Sequence, residues 1–373
     1  MEKLLTEVCA IQYGFPFDSS KFSENEGVPL IRIRDVVRGF SETYTTEEYK
    51  EEYLVHEGDL LIGMDGEFNI AKWGKVPSLL NQRVCRLIPL ENIDKGYLFY
   101  FMPTALKRIE DKTPFVTVKH LSAKELNKVK VPLPPLEEQQ KIAAVLDKVS
   151  DLIAKRRQQL EKLDLLVKAR FVEMFGDPVS NPKQWEMQSL SNVCKDIYGG
   201  GTPSKSHPEY FEGSIPWVSP KDMKSNIITD SIDHITEEAV KNSSAKIVPK
   251  DAVLMVIRSG ILKHTLPVAI AAVELTVNQD MKVFIAGQNI TSKFLMYYFK
   301  AIEMDVLSGV RGVTADNIDF KEFQKRLVIV PPIELQELFS DFVERTEKTK
   351  TNIKESLAKL EMLKKALMQE YFD

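Results

Sequence analysis

Val131 to Phe175 reads VPLPPLEEQQKIAAVLDKVSDLIAKRRQQLEKLDLLVKARFVEMF, and Val328 to Phe372 reads VIVPPIELQELFSDFVERTEKTKTNIKESLAKLEMLKKALMQEYF. The two stretches align without a gap at an offset of 197 positions. Pro134-Pro135 meets Pro331-Pro332, Gln139 meets Gln336, and Lys168-Ala169 meets Lys365-Ala366. Glu137 to Phe175 holds neither glycine nor proline. Its apolar residues Ile142, Leu146, Val149, Ile153, Leu160, Leu163, Val167 and Met174 follow alternating steps of four and three, broken at Arg156 and Arg170. That spacing predicts a long helix with a heptad seam. The proline pair sets its start, Glu137 and Glu138 suit the first turn, and Gly176-Asp177-Pro178 ends it. The second copy carries Ile353, Leu357, Leu360 and Leu367, with Thr346, Lys350 and Lys364 interrupting. About 39 residues at ~1.5 Å each give roughly 58 Å, longer than one duplex turn of ~34–36 Å. Each helix needs an apolar partner. That partner is either the other copy or a second chain, and periodicity does not separate the two.

The repeat continues upstream. At the same offset Asn81-Gln82 meets Asn278-Gln279, Val116-Thr117 meets Val313-Thr314, and Tyr97, Leu98 and Tyr100 meet Phe294, Leu295 and Tyr297. Further up the offset drifts: Asp59 aligns with Asp251, and Pro29 in GVPLIRIRD with Pro216 in SIPWVSPKD. The chain is thus a globular unit plus a long helix, written twice. Within the units VPLIRIRDV alternates like a half-buried strand. GDLLIGM, RVCRLIPL, AVLMVI and MKVFIA read as short strands, and KGYLFYFMPTALKRIE and SKFLMYYFKAIEMDVL as helices. Interleaved strands, helices and polar loops predict an α+β class.

Composition narrows the function. The 373 residues exceed one ordinary core, and 28% charged with 43% hydrophobic residues is the range of a folded domain protein. A net charge of -4 argues against coating nucleic acid by global basicity, but not against local basic faces. Cys9, Cys85 and Cys194 are widely separated, which suggests neither a disulfide framework nor a zinc site. The opening MEKLLTEVCAIQYG lacks a secretory pattern, and no apolar run is long enough to span a bilayer. The expected location is the cytoplasm, with no membrane role.

No catalytic constellation is visible. GGGTPSKS, from Gly199, resembles a phosphate loop, but Ser204 stands where glycine is required and no helix follows. There is no Asp/Asn-Pro-Pro-aromatic run and no Gly-x-Gly-x-x-Gly. The five histidines lack metal-ligand spacing; His120 and His264 alone sit beside basic residues in loops. The expectation is therefore a protein without catalytic residues, metal or cofactor. Basic and aromatic residues do interleave in both copies, in IRIRDVVRG and AKWGK, and in IPWVSPKDMK, IRSGILKH and VRGVTADN. Lysine and arginine reach phosphates, while arginine, asparagine and glutamine read base edges.

A globular unit, then PLPPLEEQQKIAAVLD and a helix ending KARFVEMFGDP, then YGGGTPSK, GSIPWVSPKD and VNQDM, then a second helix, resembles the specificity subunits of Type I restriction-modification enzymes. The resemblance covers essentially the whole chain; the second copy departs in reading PPIELQELF, with Leu335 replacing the second glutamate. It implies two similar α+β target-recognition domains, 1–133 and 178–330. The long helices, 134–177 and 331–373, would form an antiparallel coiled coil with internal pseudo-two-fold repeat. Double-stranded DNA would be read as a bipartite site. Two modification subunits would dock on the helices and restriction subunits would join through the complex, the methyl donor and ATP belonging to them. The competing reading is a coiled-coil adaptor with no DNA role.

The repeat guides the choice of contact residues. Arg34 and Lys221 share charge and suit a phosphate; residues that differ between copies suit bases. The nominated DNA contacts are Arg32, Arg34, Lys72, Trp73, Arg83, Lys119 and His120 in the first domain. In the second they are Lys205, Ser219, Lys221, Arg258, Lys263, His264, Asp280, Arg311 and Asn317. Ile142, Leu146, Val149, Ile153, Leu160, Leu163, Ile353, Leu357, Leu360 and Leu367 are the nominated partner dock.

Overall fold

A computed structural model describes residues 1–113, 119–310 and 317–372. The chain forms two compact units, Met1–Gln158 with Lys354–Asp373, and Gln159–Ile353.

In unit 1, β1 (Glu2–Leu4) leads to β2 (Cys9–Tyr13), β3 (Val28–Ile31) and a short helix α1 (Ile33–Arg38). Strands β4 (Leu60–Gly63), β5 (Ile70–Lys72), β6 (Ser78–Leu80) and β7 (Val84–Pro89) follow. Then come α2 (Lys95–Lys112), β8 (Lys130–Pro132) and the long helix α3 (Leu136–Phe175), whose residues to Gln158 belong to this unit. An antiparallel sheet has the order β2-β7-β4-β5, and β1 pairs with β8. α2 buries Tyr97, Leu98, Phe101 and Leu106 in the unit's main core. VPLIRIRDV is not one strand. It turns helical after Ile31, because the Asp35 carboxylate accepts from the Arg32 backbone N–H (2.9 Å) and starts α1.

Unit 2 repeats the plan with β9 (Met187–Ser189), β10 (Cys194–Gly199), β11 (Ile215–Val218), β12 (Ile227–Ile228), β13 (Val253–Val256), β14 (Val268–Ala271), β15 (Thr276–Val277) and β16 (Met281–Ala286). α4 (Ser292–Ala301), β17 (Leu327–Ile329) and the first part, to Ile353, of the second long helix α5 (Ile333–Phe372) complete it. The sheet order is β10-β16-β13-β14-β12, and β9 pairs with β17. SKFLMYYFKAIEMDVL breaks at Ile302 into two helices, Ser292–Ala301 and Glu303–Val310.

Strand pairing corrects one alignment. Gly63 lies opposite Val84, and Val256 opposite Met281. Asp59 accepts from Trp73 N just as Ala252 accepts from Ala271 N. Asp59 therefore corresponds to Ala252, one residue on from Asp251. Asp251 instead takes the place of Gly58, and both have left-handed backbones.

Each unit contains an antiparallel pair of helix segments. In unit 1, Ile142 and Leu146 pack in one cluster with Leu367, Met368, Tyr371 and Phe372, and Arg157 bonds Glu361 at 2.6 Å. In unit 2, Lys350 bonds Asp164 at 2.8 Å, and Phe171 meets Phe339 with centroids 5.5 Å apart. Ascending numbers on one helix meet descending numbers on the other in both units, so the two helices form an antiparallel coiled coil. Lys350 replaces Ile153 of the first copy in the seam, and Asp164 and Glu347 satisfy its ammonium.

Unit 2 also holds Lys300, whose pKa is pushed from the ordinary 10.5 down to about 8, chiefly by burial. Glu303 and Glu347 oppose that shift, while Lys350 and Lys168 add to it. Between these values the unfolded chain binds a proton that the folded one has released. Lys300 therefore destabilises the fold fully below pH 8 and progressively less toward pH 10.5. Lys300→Met should raise stability at pH 7 by about 1–3 kcal/mol. Urea unfolding of both proteins at pH 7 and pH 10 should show the gap closing; an equal gap at both would refute the assignment.

Candidate nucleic-acid interface

The same local frame recurs in each unit. β3 runs parallel to β6, with Leu30 opposite Leu79 and Ile31 opposite Leu80. β11 runs parallel to β15, with Trp217 opposite Thr276 and Val218 opposite Val277. A capped turn follows each strand: Ser219 N donates to Asp222 at 2.8 Å, as Arg32 N does to Asp35. Gly14 and Gly200 end β2 and β10 at matching positions, and a β-carbon at either would collide with the backbone carbonyl of Asn81 or Val277. This close approach fixes the turns Asn81-Gln82-Arg83 and Asn278-Gln279-Asp280, whose asparagines are both buried.

In unit 1 the frame presents Arg32 and Arg34, both exposed, at the start of α1. Beyond the end of β4 stands Asp65, which bonds His120 Nδ1 at 2.5 Å; Arg83 Nη1 lies 3.2 Å from that nitrogen and 3.4 Å from Asp65. Arg83 has a left-handed backbone (φ 69°), a strained conformation for an arginine that the turn holds in place. In unit 2, Ser219, Lys221, Ser259 and Asn278 line an open cleft of about 460 Å³. Arg258 and Asp280 lie beside it, with Nε and Oδ1 3.8 Å apart, and Asn278 Nδ2 donates to Asp280 at 3.1 Å. Lys221 donates to Asp233 at 2.6 Å, which raises its pKa, and remains half-exposed.

The structure separates the other nominated residues. Trp73 is a core residue, 2% exposed, packed with Ile31, Leu61 and Val84 while its indole donates to Val76 O. Lys72 turns toward the long helix, 3.5 Å from Asp147 and over the Phe99 ring. Lys119 donates to Glu110 O at 2.8 Å and is largely covered. The hydroxyl of Ser219, itself buried, donates to Asp222 (2.9 Å). Lys205, Lys263, His264 and Asn317 are exposed. Arg311, Val116-Thr117 and Val313-Thr314 lie outside the described residues. Asp65 was missed: no motif marks it, and only strand register reveals its place.

Part of the nominated dock is turned inward, while Leu160, Leu163, Ile353, Leu357, Leu360 and Leu367 are half-buried. Ile142, Leu146, Val149 and Ile153 are at most 8% exposed, because the coiled coil consumes that seam. The large apolar groups exposed on these helices are Leu136, Val145, Leu152, Met362 and Leu363 in unit 1, and Leu165, Leu166, Val172 and Leu338 in unit 2.

Chemically, these faces offer guanidinium forks, amides and imidazole, which suits binding to phosphates and base edges. Burial pushes the thiols up, Cys9 to about 11 and Cys85 and Cys194 to about 12, so they are not thiolates at neutral pH. Among the described residues no cluster of three or more His, Cys, Asp or Glu could hold a metal ion. No helix among them is long and apolar enough to cross a membrane.

A duplicated chain with one such polar face per unit has the construction of a recognition protein. The profile of the Type I restriction modification DNA specificity domain matches residues 1–163 and 182–362, and the chain belongs to this family of specificity subunits. It is 27% identical to the Type I restriction enzyme EcoBI specificity subunit of Escherichia coli, over 99% of this chain and 84% of that one. It is 33% identical to the EcoR124I/EcoR124II specificity subunit of Escherichia coli, over 66% of this chain and 62% of that one. Among solved structures, the Type I restriction-modification S subunit from M. genitalium superposes with a TM-score of 0.61 at 13% identity, over 100% of this chain and 96% of that one. A chain from a structure of complex assembly in the type I R-M system gives 0.60 at 19%, over 99% and 96%.

Proposed function

We propose that residues 1–133 and 178–330 each read one half of a bipartite duplex target. In this reading the helices 134–177 and 331–373 are spacer and dock. Two modification subunits bind there through the outward apolar groups, and restriction subunits join through the complex. The chain itself catalyses nothing and works in the cytoplasm. One observation carries the reading: the same strand-and-turn frame stands in both units and bears different exposed polar side chains, as two readers of different sequences require. Arg34 and Lys221 serve phosphates; Arg32, Arg83, His120, Arg258 and Asn317 serve base edges, Asp280 holds Arg258 from behind, and Lys205, Lys263 and His264 lie at the margin.

Co-expressing the chain with its modification subunits and mapping methylated bases in host DNA tests this. The expected result is a single bipartite motif that disappears without the chain. Methylation that ignores the chain, with no gel shift of duplex DNA with or without the modification subunits, would leave the adaptor reading instead.

A further inference from the structure

Corrected strand register brings out a correspondence hidden in the sequence. Gly63 and Val256 occupy equivalent places, so Asp65 corresponds to Arg258. Val84 and Met281 are equivalent too, so Arg83 corresponds to Asp280. The third members agree independently: isolated bridges join Asp65 to His120 and Arg258 to Asn317. Each unit thus builds a trio at one and the same place, and the charges are exchanged. Unit 1 has the acid beyond the end of β4 and the arginine before β7. Unit 2 has the arginine beyond the end of β13 and the acid before β16.

In each trio the carboxylate sits behind and the guanidinium faces out. Asp65 and Asp280 are 18% and 24% exposed, whereas Arg83 and Arg258 are 55% and 58% exposed. The cation is arginine both times. A fork oriented by a fixed acid matches the O6 and N7 of guanine in the major groove, with a planar, pre-organised geometry that a flexible ammonium lacks.

We propose that Arg83 and Arg258 are the guanine-reading residues of their respective domains, and that Asp65 and Asp280 are their positioning residues. Exchange of the charges moves the fork to the neighbouring strand. Neighbouring strands lie ~4.8 Å apart, more than the ~3.4 Å rise of a base step. The fork is thus anchored on a different strand in each domain, and the guanine it reads is expected at a different place in each half-site. This rests on the DNA-reading function proposed above.

The full-length chain, assembled with its modification subunits, is presented with a randomised duplex library, and the bound sequences are read. Wild type is expected to select two unlike half-sites, each with a fixed G·C pair. Arg83→Ala should relax that pair in one half-site only, and Arg258→Ala in the other only, each by roughly 5- to 150-fold. Arg258→Asp combined with Asp280→Arg copies the first domain's polarity into the second and should move the selected guanine within its half-site. A purely structural role would not move it. A defined wild-type motif that survives both alanine variants, or identical half-sites, overturns this inference alone. A wild-type assembly that selects no motif overturns the DNA-reading function and this inference with it.

Discussion

Phe171→Ala is expected to destabilise unit 2 by about 3–5 kcal/mol, the usual cost of deleting a buried phenylalanine. Phe171 is 2% exposed near the end of α3. Its ring lies 5.0 Å from Phe175, 5.6 Å from Phe294 and 5.5 Å from Phe339. Phe175 in turn meets Phe294 at 4.8 Å, and Phe339 meets Tyr297 at 5.3 Å. One truncation removes three ring contacts, each worth about 0.5–1.5 kcal/mol beyond area burial, and leaves a cavity where α3, α4 and α5 converge. Leu165→Ala is the control. Leu165 is 64% exposed on the same helix, and its loss should stay within about 0.5 kcal/mol. Urea unfolding compares the two, and similar midpoints would show that the cluster does not secure the helix end.

The second large effect concerns two glutamines. Gln139 is 1% exposed and Gln336 is fully buried. Gln336 Oε1 accepts from Thr291 N at 2.9 Å, while Nε2 donates to Asn289 O at 3.0 Å and Pro331 O at 2.8 Å. Gln139 repeats all three bonds with Asp94 N, Asn92 O and Pro134 O. Each amide ties the first turn of a long helix to the start of the helix packed beside it, α2 or α4. Gln336→Leu keeps much of the volume but strands one buried N–H and two carbonyls, each costing about 1–3 kcal/mol when unmet. With partial rearrangement the expected loss is roughly 2–4 kcal/mol, and Gln139→Leu should match it in unit 1. The partners do not overlap, so the double variant should lose the sum. A loss below about 1 kcal/mol for both would mean that water replaces the amide readily.

The duplication, the two long helices and the α+β class were determined by sequence alone, because each rests on local or periodic chemistry. The proline pairs and Gly176-Asp177-Pro178 mark helix limits, and a step of three and four residues specifies a seam whatever packs against it. The sequence also brought Arg83, His120, Arg258, Asp280 and Asn317 forward as polar residues differing between copies. Tertiary structure alone decided the rest. Periodicity left open which helix fills the seam, and the packing of Ile142 and Leu146 with Leu367 and Phe372 answers it. An alternating pattern could not reveal that Asp35 would cap Arg32 into a helix, nor that Trp73 would be enclosed by β3, β4 and β7. Asp65 and Arg258 became equivalent only through hydrogen-bond register between strands far apart in the chain. Register is set by long-range pairing, and a shift of one residue turns every side chain to the opposite face.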